Sequence, residues 1–221
     1  FNLMQNFAFP YFSRDIAEFW RRWHISLSTW FRDYLYIPLG GSRRGTWMKV
    51  RNTFIIFIVS GFWHGANWTF IVWGTLNAIY FLPLLLTNNN RKNIDIVAQG
   101  KSLPNLKELS FMLLTFALTV IAWVFFRAES VSHALNILSE IFSLSIFSHP
   151  NILNNTLELR LFPFILSLFI MLEWIGREQK YAIANLDLRV NKPIRFAFYY
   201  SIIFLIFLLK GQSQEFIYFQ F

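Results

Sequence analysis

The fold is decided by the run Ala66–Leu86, which reads ANWTFIVWGTLNAIYFLPLLL and holds no charged residue. A helix needs roughly 20 apolar residues to cross a bilayer, so this run predicts a membrane-spanning helix. Leu109–Phe126 predicts a second one. Leu161–Gly176 and Phe196–Leu209 are shorter but rich in large apolar side chains, and we interpret them as further spans. Thr53–Trp63 is too short to cross alone, so it predicts a buried or re-entrant piece.

The composition agrees with a membrane protein. Of the 221 residues, 55% are hydrophobic and only 14% are charged, and cysteine is absent. So many aromatic and so few charged residues exclude a disordered chain. The lack of cysteine excludes a disulfide scaffold, a thiolate zinc site and a cysteine nucleophile. We therefore expect an all-α fold: a polytopic transmembrane helical bundle with interfacial and re-entrant short helices, forming a single membrane-embedded domain over residues 1–221.

The net charge of +8 is concentrated between the apolar runs. The segments 88–107 and 177–195 are rich in lysine and arginine, whereas the segment 127–160 between them carries three glutamates. Positively charged loops stay on the cytoplasmic side of a membrane. This pattern predicts a multi-pass protein of the inner (cytoplasmic) membrane in contact with lipids, and no nucleic-acid partner.

The segment Ser13–Tyr36 has aromatic and aliphatic residues at helical spacing, so it predicts one amphipathic helix with a broad aromatic face. We expect Ser13 to cap its start. Its charge makes it an interfacial helix rather than a span. His24 borders the aromatic face, and the spacing leaves open whether this histidine is functional or incidental.

His64 lies between two apolar runs, in the stretch SGFWHGANWTF at residues 60–70. An ionisable side chain at membrane depth is expensive and marks a functional site by default. The alternative is a structural histidine that joins two helices by one hydrogen bond. Gly61 and Gly65 permit either close helix packing or a sharp turn beside a ligand. Asn67 could orient the imidazole or bind a carbonyl oxygen.

The residues around His64 do not include the acidic or histidine-rich cluster that a metal site needs, so no metal is expected. A lone base without a neighbouring nucleophile suggests that the substrate supplies the hydroxyl group. Histidine suits this chemistry because its pKa lies near neutrality.

Two long motifs resemble those of the membrane-bound O-acyltransferases, and most closely their bacterial alginate O-acetyltransferase branch. The first is FWRRWHISLSTWFRDYLYIPLGG at residues 19–41, and the second is the stretch 60–70 quoted above. The resemblance implies that His64 is the catalytic histidine and that His24 is a second histidine of the active region. It also implies that this chain is the carboxyl-terminal, catalytic part of a longer one.

The same resemblance implies an O-acyltransferase that moves an acetyl group from a cytoplasmic thioester, such as acetyl-coenzyme A, to a hydroxyl of an exported polysaccharide. A separate periplasmic acetyltransferase is the expected partner, and no bound cofactor is expected. Candidates for binding the donor or the substrate are Asn67, Trp30, Arg21, Arg22 and Asp33. For the two arginines the alternative is a role in membrane orientation or contact with anionic lipids. For the whole protein the alternative is a transport or pore subunit, with His64 as a proton-relay or substrate-binding residue.

Overall fold

The computed structural model describes residues 4–43, 45–144, 157–186 and 190–208, and in these ranges the chain is helical with no β-strand. The all-α prediction is therefore confirmed for the described residues. The chain forms two compact units, Phe1–Ser148 and His149–Phe221. The expectation of one domain over residues 1–221 stays a prediction.

The described residues of the first unit form six α-helices. They are α1 (Ile16–Arg22), α2 (Ile25–Phe31), α3 (Gly45–His64), α4 (Trp68–Leu86), α5 (Leu106–Arg127) and α6 (Val131–Ile141). The second unit contains α7 (Leu157–Gly176) and α8 (Lys192–Leu208). Within the described residues, α4 and α5 are long and apolar enough to cross a membrane, and α7 includes a shorter apolar segment.

The prediction of one continuous helix over Ser13–Tyr36 is wrong. The helix breaks at His24, whose φ of 46° places it in the left-handed region, and a π-helical turn follows α2 at Arg32–Tyr36. The break is held from outside the segment, because Asn6 O accepts a hydrogen bond from Ile25 N and Ala8 N donates one to Arg22 O.

The cap of α1 also differs from the prediction. Asp15 is the N-cap, since its side chain accepts a hydrogen bond from Glu18 N. Ser13 instead donates its hydroxyl proton to Pro10 O. The acidic side chain is the better placed of the two because it lies next to the positive end of the helix dipole.

The short re-entrant piece predicted at Thr53–Trp63 is instead the second half of a 20-residue helix, α3. At about 1.5 Å per residue this helix is roughly 30 Å long. Charged residues in its first turns hid it from the apolar count; Arg51, for example, lies inside α3 and donates to Leu39 O.

Helices α3 and α4 pack closely because glycines lie at their contact. A Cβ on Gly61 would lie 2.3 Å from Phe70 O, and a Cβ on Gly74 would lie 2.2 Å from Phe57 O. Gly61 therefore serves close packing, whereas Gly65 has a φ of 150° and forms the turn between the two helices. Each of the two roles predicted for the glycines beside His64 is thus filled by a different one.

Helices α5 and α6 complete the core of this unit. Asn105 and Glu108 form a capping box at the start of α5. The amphipathic helix α6 follows, and Ser130 caps it. The buried cluster comprises Trp73, Ala122, Phe125, Ala128 and Ala134.

Candidate active site

His64 is the last residue of α3, where Gly65 turns the chain towards α4. Its imidazole lies among aromatic rings, with ring centroids 4.9 Å from Phe126 and 5.5 Å from Trp73, both in edge-to-face orientation. These rings come from α4 and α5, so three helices fix the position of one ionisable side chain. This arrangement agrees with a functional histidine. Among the described contacts, the His64 ring forms no hydrogen bond that would join two helices.

His24 lies at the break between α1 and α2 in the left-handed backbone conformation. For a residue with a Cβ this conformation costs on the order of 1–3 kcal/mol, and such strain tends to occur at functional sites. The His24 Nδ1 atom is buried, and no group in the described part of the chain forms a hydrogen bond with it. A buried polar atom of this kind is normally paired, so the unpaired Nδ1 of His24 is unusual.

The two histidines line one small cavity of about 140 Å³, which we call the histidine cavity. His24 comes from the first motif and His64 from the second, so the fold brings the two motifs together. The remaining lining is almost entirely aromatic, and it consists of Trp20, Trp23, Leu27, Ser60, Trp73, Trp123 and Phe126.

A larger cavity of about 490 Å³ adjoins it, and we call this the basic cavity. The two cavities share Trp20, Leu27 and Ser60 in their linings. Lys49 and Ser60 both line the basic cavity and lie on the same helix, about 16 Å apart by helical rise. The basic cavity therefore extends from the boundary with the histidine cavity to a region of cationic side chains.

The cationic side chains of the basic cavity are Arg32, Lys49 and Arg91. Arg32 is already paired with Asp33, its Nε lying 2.7 Å from the carboxylate oxygen Oδ1. Tyr36 adds a phenol to the lining, and burial raises the pKa of this group, so it stays a protonated hydrogen-bond donor. Such a lining suits an anionic, phosphate-bearing molecule.

The five residues predicted to bind donor or substrate line neither cavity. Asn67 caps α4, accepting a hydrogen bond from Thr69 N and donating one to Glu129 O. Trp30 is half-exposed and stacks near Tyr34, while Asp33 pairs with Arg32.

Arg21 and Arg22 bind the segment between α4 and α5. Arg21 donates to Asn90 O and Asn93 O at 2.8 and 2.7 Å. Arg22 donates to Asp95 O and forms an ion pair with Glu18. Both arginines therefore lie on the same side of the unit as the loop that the charge pattern assigns to the cytoplasm.

Sequence reasoning missed the residues that shape the cavities. Trp20 and Trp123 lay within the quoted motif and the predicted span, but spacing gives no sign that they border one space. Arg91 belongs to the basic segment 88–107, which was interpreted only as a topology signal, and the sequence analysis assigned no role to Lys49. Within the described residues, no group of three or more histidine and carboxylate side chains is placed to hold a metal ion.

Known proteins that are similar to this chain are named for acyl transfer. Residues 5–108 match the model of the MBOAT, membrane-bound O-acyltransferase family. "Probable alginate O-acetylase AlgI" of Pseudomonas aeruginosa is 44% identical over 143 residues, which are 65% of this chain and 25% of that protein. "Peptidoglycan O-acetyltransferase" of Helicobacter pylori is 40% identical over 60% of this chain and 24% of its own length. "Teichoic acid D-alanyltransferase" of Streptococcus thermophilus is 44% identical over 34% of this chain and 20% of its own. The match thus spans about a quarter of the length of the most similar of these relatives.

Proposed function

We propose, from the match of residues 5–108 to the model of the membrane-bound O-acyltransferase family, that the chain transfers an acyl group, in the first instance acetyl, from a thioester to a hydroxyl. The observation that carries the proposal is the meeting of His24 and His64 in one aromatic cavity beside a larger cavity with cationic lining. Relatives named for alginate and peptidoglycan O-acetylation support this class of reaction.

In the proposed reaction His64 acts as the general base. It takes the proton of the acceptor hydroxyl while the hydroxyl oxygen attacks the thioester carbonyl carbon, and the carbonyl oxygen becomes an oxyanion. The carbon–sulfur bond then breaks, the ester remains on the acceptor, and the thiolate takes up the proton that His64 held. Proton and electron pairs balance without an oxidant, a metal or an acyl-enzyme.

His24 is the second catalytic group in this proposal. Its buried Nδ1 has no hydrogen-bond partner in the described structure, and its ring lines the cavity in which the oxyanion would form. A donor that is aimed at developing negative charge in a water-poor site stabilises the transition state strongly. We therefore assign the oxyanion to His24 rather than to Asn67 or Trp30, neither of which lines the histidine cavity.

The donor is a cytoplasmic acyl thioester, such as acetyl-coenzyme A, held in the basic cavity. The positions of Lys49 and Arg91 support binding of donor phosphates at one end, and the shared boundary at Trp20 and Ser60 lets the thioester approach His64. Arg21 and Arg22 then support the cavity by fixing the adjoining loop rather than by contact with the donor.

The setting of this reaction is a multi-pass bundle in the inner membrane, and the acceptor is an exported polysaccharide reached directly or through a periplasmic acetyltransferase. The apolar helices α4 and α5 support the membrane location. The basic loops support a cytoplasmic donor side.

The test is His64→Ala in the complete protein, expressed in cells that make the polymer. Loss of the base should lower acetyl transfer by about 10²–10⁴-fold, measured as ester content of the exported polysaccharide and as thiol release by purified protein. The matched control is His133→Ala, because His133 is exposed and lines neither described cavity.

Two outcomes would contradict the proposal. Unchanged ester content in His64→Ala, at equal abundance in the membrane, would remove His64 from catalysis. Loss of polymer export with normal ester content per chain would instead favour a transport subunit with His64 as a relay.

A further inference from the structure

The boundary between the two cavities is formed by three side chains, Trp20, Leu27 and Ser60, which line both. Trp20 is the largest of them. Its ring meets Phe57 of the basic cavity at a centroid distance of 5.3 Å and Trp73 of the histidine cavity at 5.8 Å, both edge-to-face. The Trp20 indole therefore lies between the basic cavity and the histidine cavity.

A buried polar residue holds this indole in place. Trp20 Nε1 donates a hydrogen bond to Asn77 Oδ1 at 3.2 Å, and Asn77 Nδ2 donates one to Trp73 O at 2.9 Å. Asn77 is 1% exposed and lies inside the apolar helix α4. A fully buried amide in such a helix is costly unless its groups are paired. Here the Oδ1 atom holds the Trp20 indole, and the Nδ2 atom is satisfied by the backbone carbonyl one turn earlier in α4.

The histidine cavity is small for an acyl chain. An apolar cavity of about 150 Å³ in another protein holds a single benzene ring, and the histidine cavity of about 140 Å³ must also admit the acceptor hydroxyl. Five of its lining side chains are aromatic rings packed edge-to-face or tilted against their neighbours, for example Trp23 against Trp123 at 5.1 Å. These rings cannot move apart to widen the cavity without losing several ring–ring contacts.

We propose that Trp20, positioned by Asn77, limits the acyl group that reaches His64 to one of a few carbons. This inference rests on the proposed acyl transfer and adds to it a specificity-determining residue and its positioning residue. The acyl end of the thioester lies against the indole at the boundary, while the rest of the donor stays in the basic cavity. Longer chains are excluded by the indole and by the ring wall behind it.

The experiment uses the complete protein in detergent with alginate oligosaccharide as acceptor, and it measures thiol release from acetyl, butyryl and hexanoyl thioesters. Each length is supplied both as the coenzyme A and as the pantetheine thioester. Wild-type kcat/KM should fall at least tenfold with each step in length, since a surplus methylene in a hydrophobic pocket costs about tenfold or more. The coenzyme A and pantetheine series should show the same dependence on acyl length, because Trp20 contacts only the acyl end of the donor.

Trp20→Leu should raise hexanoyl kcat/KM relative to acetyl by at least tenfold, and Leu27→Ala is the second variant that opens the same boundary. Asn77→Leu should relax the selectivity less, and it should add nothing in a Trp20→Phe background, where the indole N–H is already gone. The control is Trp47→Leu, because Trp47 is 75% exposed and lines neither cavity.

The outcomes separate the filter from the proposed function. Suppose that the wild type releases thiol from the acetyl thioester, and that the Trp20 and Leu27 variants lower kcat/KM by the same factor for every acyl length. These residues then only support the fold, and the proposed limit on acyl length is wrong. If the wild type already accepts hexanoyl as well as acetyl, the filter is also wrong. If the wild type releases thiol from none of the thioesters, the acyl transfer itself is overturned.

Discussion

Glu18 is the buried anion that holds the start of the first motif, and its replacement by glutamine should destabilise the protein strongly. The side chain is 1% exposed. Its Oε2 accepts hydrogen bonds from the backbone N and the Nε of Arg14 at 2.8 and 3.1 Å. Its Oε1 accepts from the guanidinium nitrogens of Arg14 and Arg22 at 3.1 and 2.8 Å. Glu18 thus neutralises two arginines at once.

The cost of Glu18→Gln follows from what it leaves behind. Removing one partner of a buried ion pair costs about 3–5 kcal/mol, because the other charge stays buried without compensation. Arg14 is 8% exposed and keeps Asp95, with Glu108 at 3.7 Å, so we expect the lower end of that range. For a unit of about this size, about 3 kcal/mol corresponds to a fall in melting temperature of roughly 6–12 °C.

The assay is thermal unfolding of the purified complete protein, followed by tryptophan fluorescence, with Glu129→Gln as the exposed control. Since α1 carries Trp20, the same variant should also lose acyl selectivity before it loses all activity. A melting temperature that falls no further in Glu18→Gln than in Glu129→Gln would refute the claim that this carboxylate holds the segment.

Two further predictions concern charge. Replacing Lys49 and Arg91 together by alanine should raise KM for acetyl-coenzyme A about tenfold, because two charge contacts screened by solvent are lost. KM for acetyl-pantetheine should stay unchanged, and exposed Lys92→Ala is the control; an equal rise in KM for both donors would rule out a contact with the donor phosphates. The hydrogen bond from Arg14 holds the pKa of Asp95 below its usual value, with burial opposing it; the carboxylate therefore contributes stability above its unfolded pKa and loses it as pH falls through the lower folded value. Asp95→Asn should cost at most about 1 kcal/mol at pH 7 because the side chain is largely exposed, and its melting temperature should converge with that of the wild type below about pH 4; a constant gap at all pH values would contradict the role of the charge.

The apolar helices could be predicted from sequence because their signal is local. An uncharged run such as that of α4, or the helical period of α6, reports the environment of each residue without knowledge of the rest of the chain. α3 was missed in part for the same reason: Lys49 and Arg51 lowered the apolar count of a helix whose first turns face polar neighbours.

The roles of the arginines could not be predicted, because they depend on a contact between distant segments. Nothing near Arg21 or Arg22 in the sequence indicates that the carbonyl oxygens of residues 90, 93 and 95 lie within hydrogen-bond distance. A guanidinium satisfies a phosphate or a set of backbone carbonyls with the same donors. The sequence therefore indicated that these positions are charged, but it did not indicate which groups they bind.

The backbone break at His24 combines a local sequence motif with contacts from another segment of the chain. The left-handed residue divides the first motif. As a result, α1 contributes Trp20, its C-cap residue Trp23 lies at the break, and α2 contributes Leu27 to the cavity walls. The strained backbone is compensated by Asn6, which accepts hydrogen bonds from Ile25 N and, through its side chain, from Ser26. Because strain persists only where surrounding contacts over-determine it, the segment before α1 helps to hold the backbone conformation of His24 although it lines neither described cavity. The conformation of the first motif, residues 19–41, is thus held in part by residues that precede it in the chain.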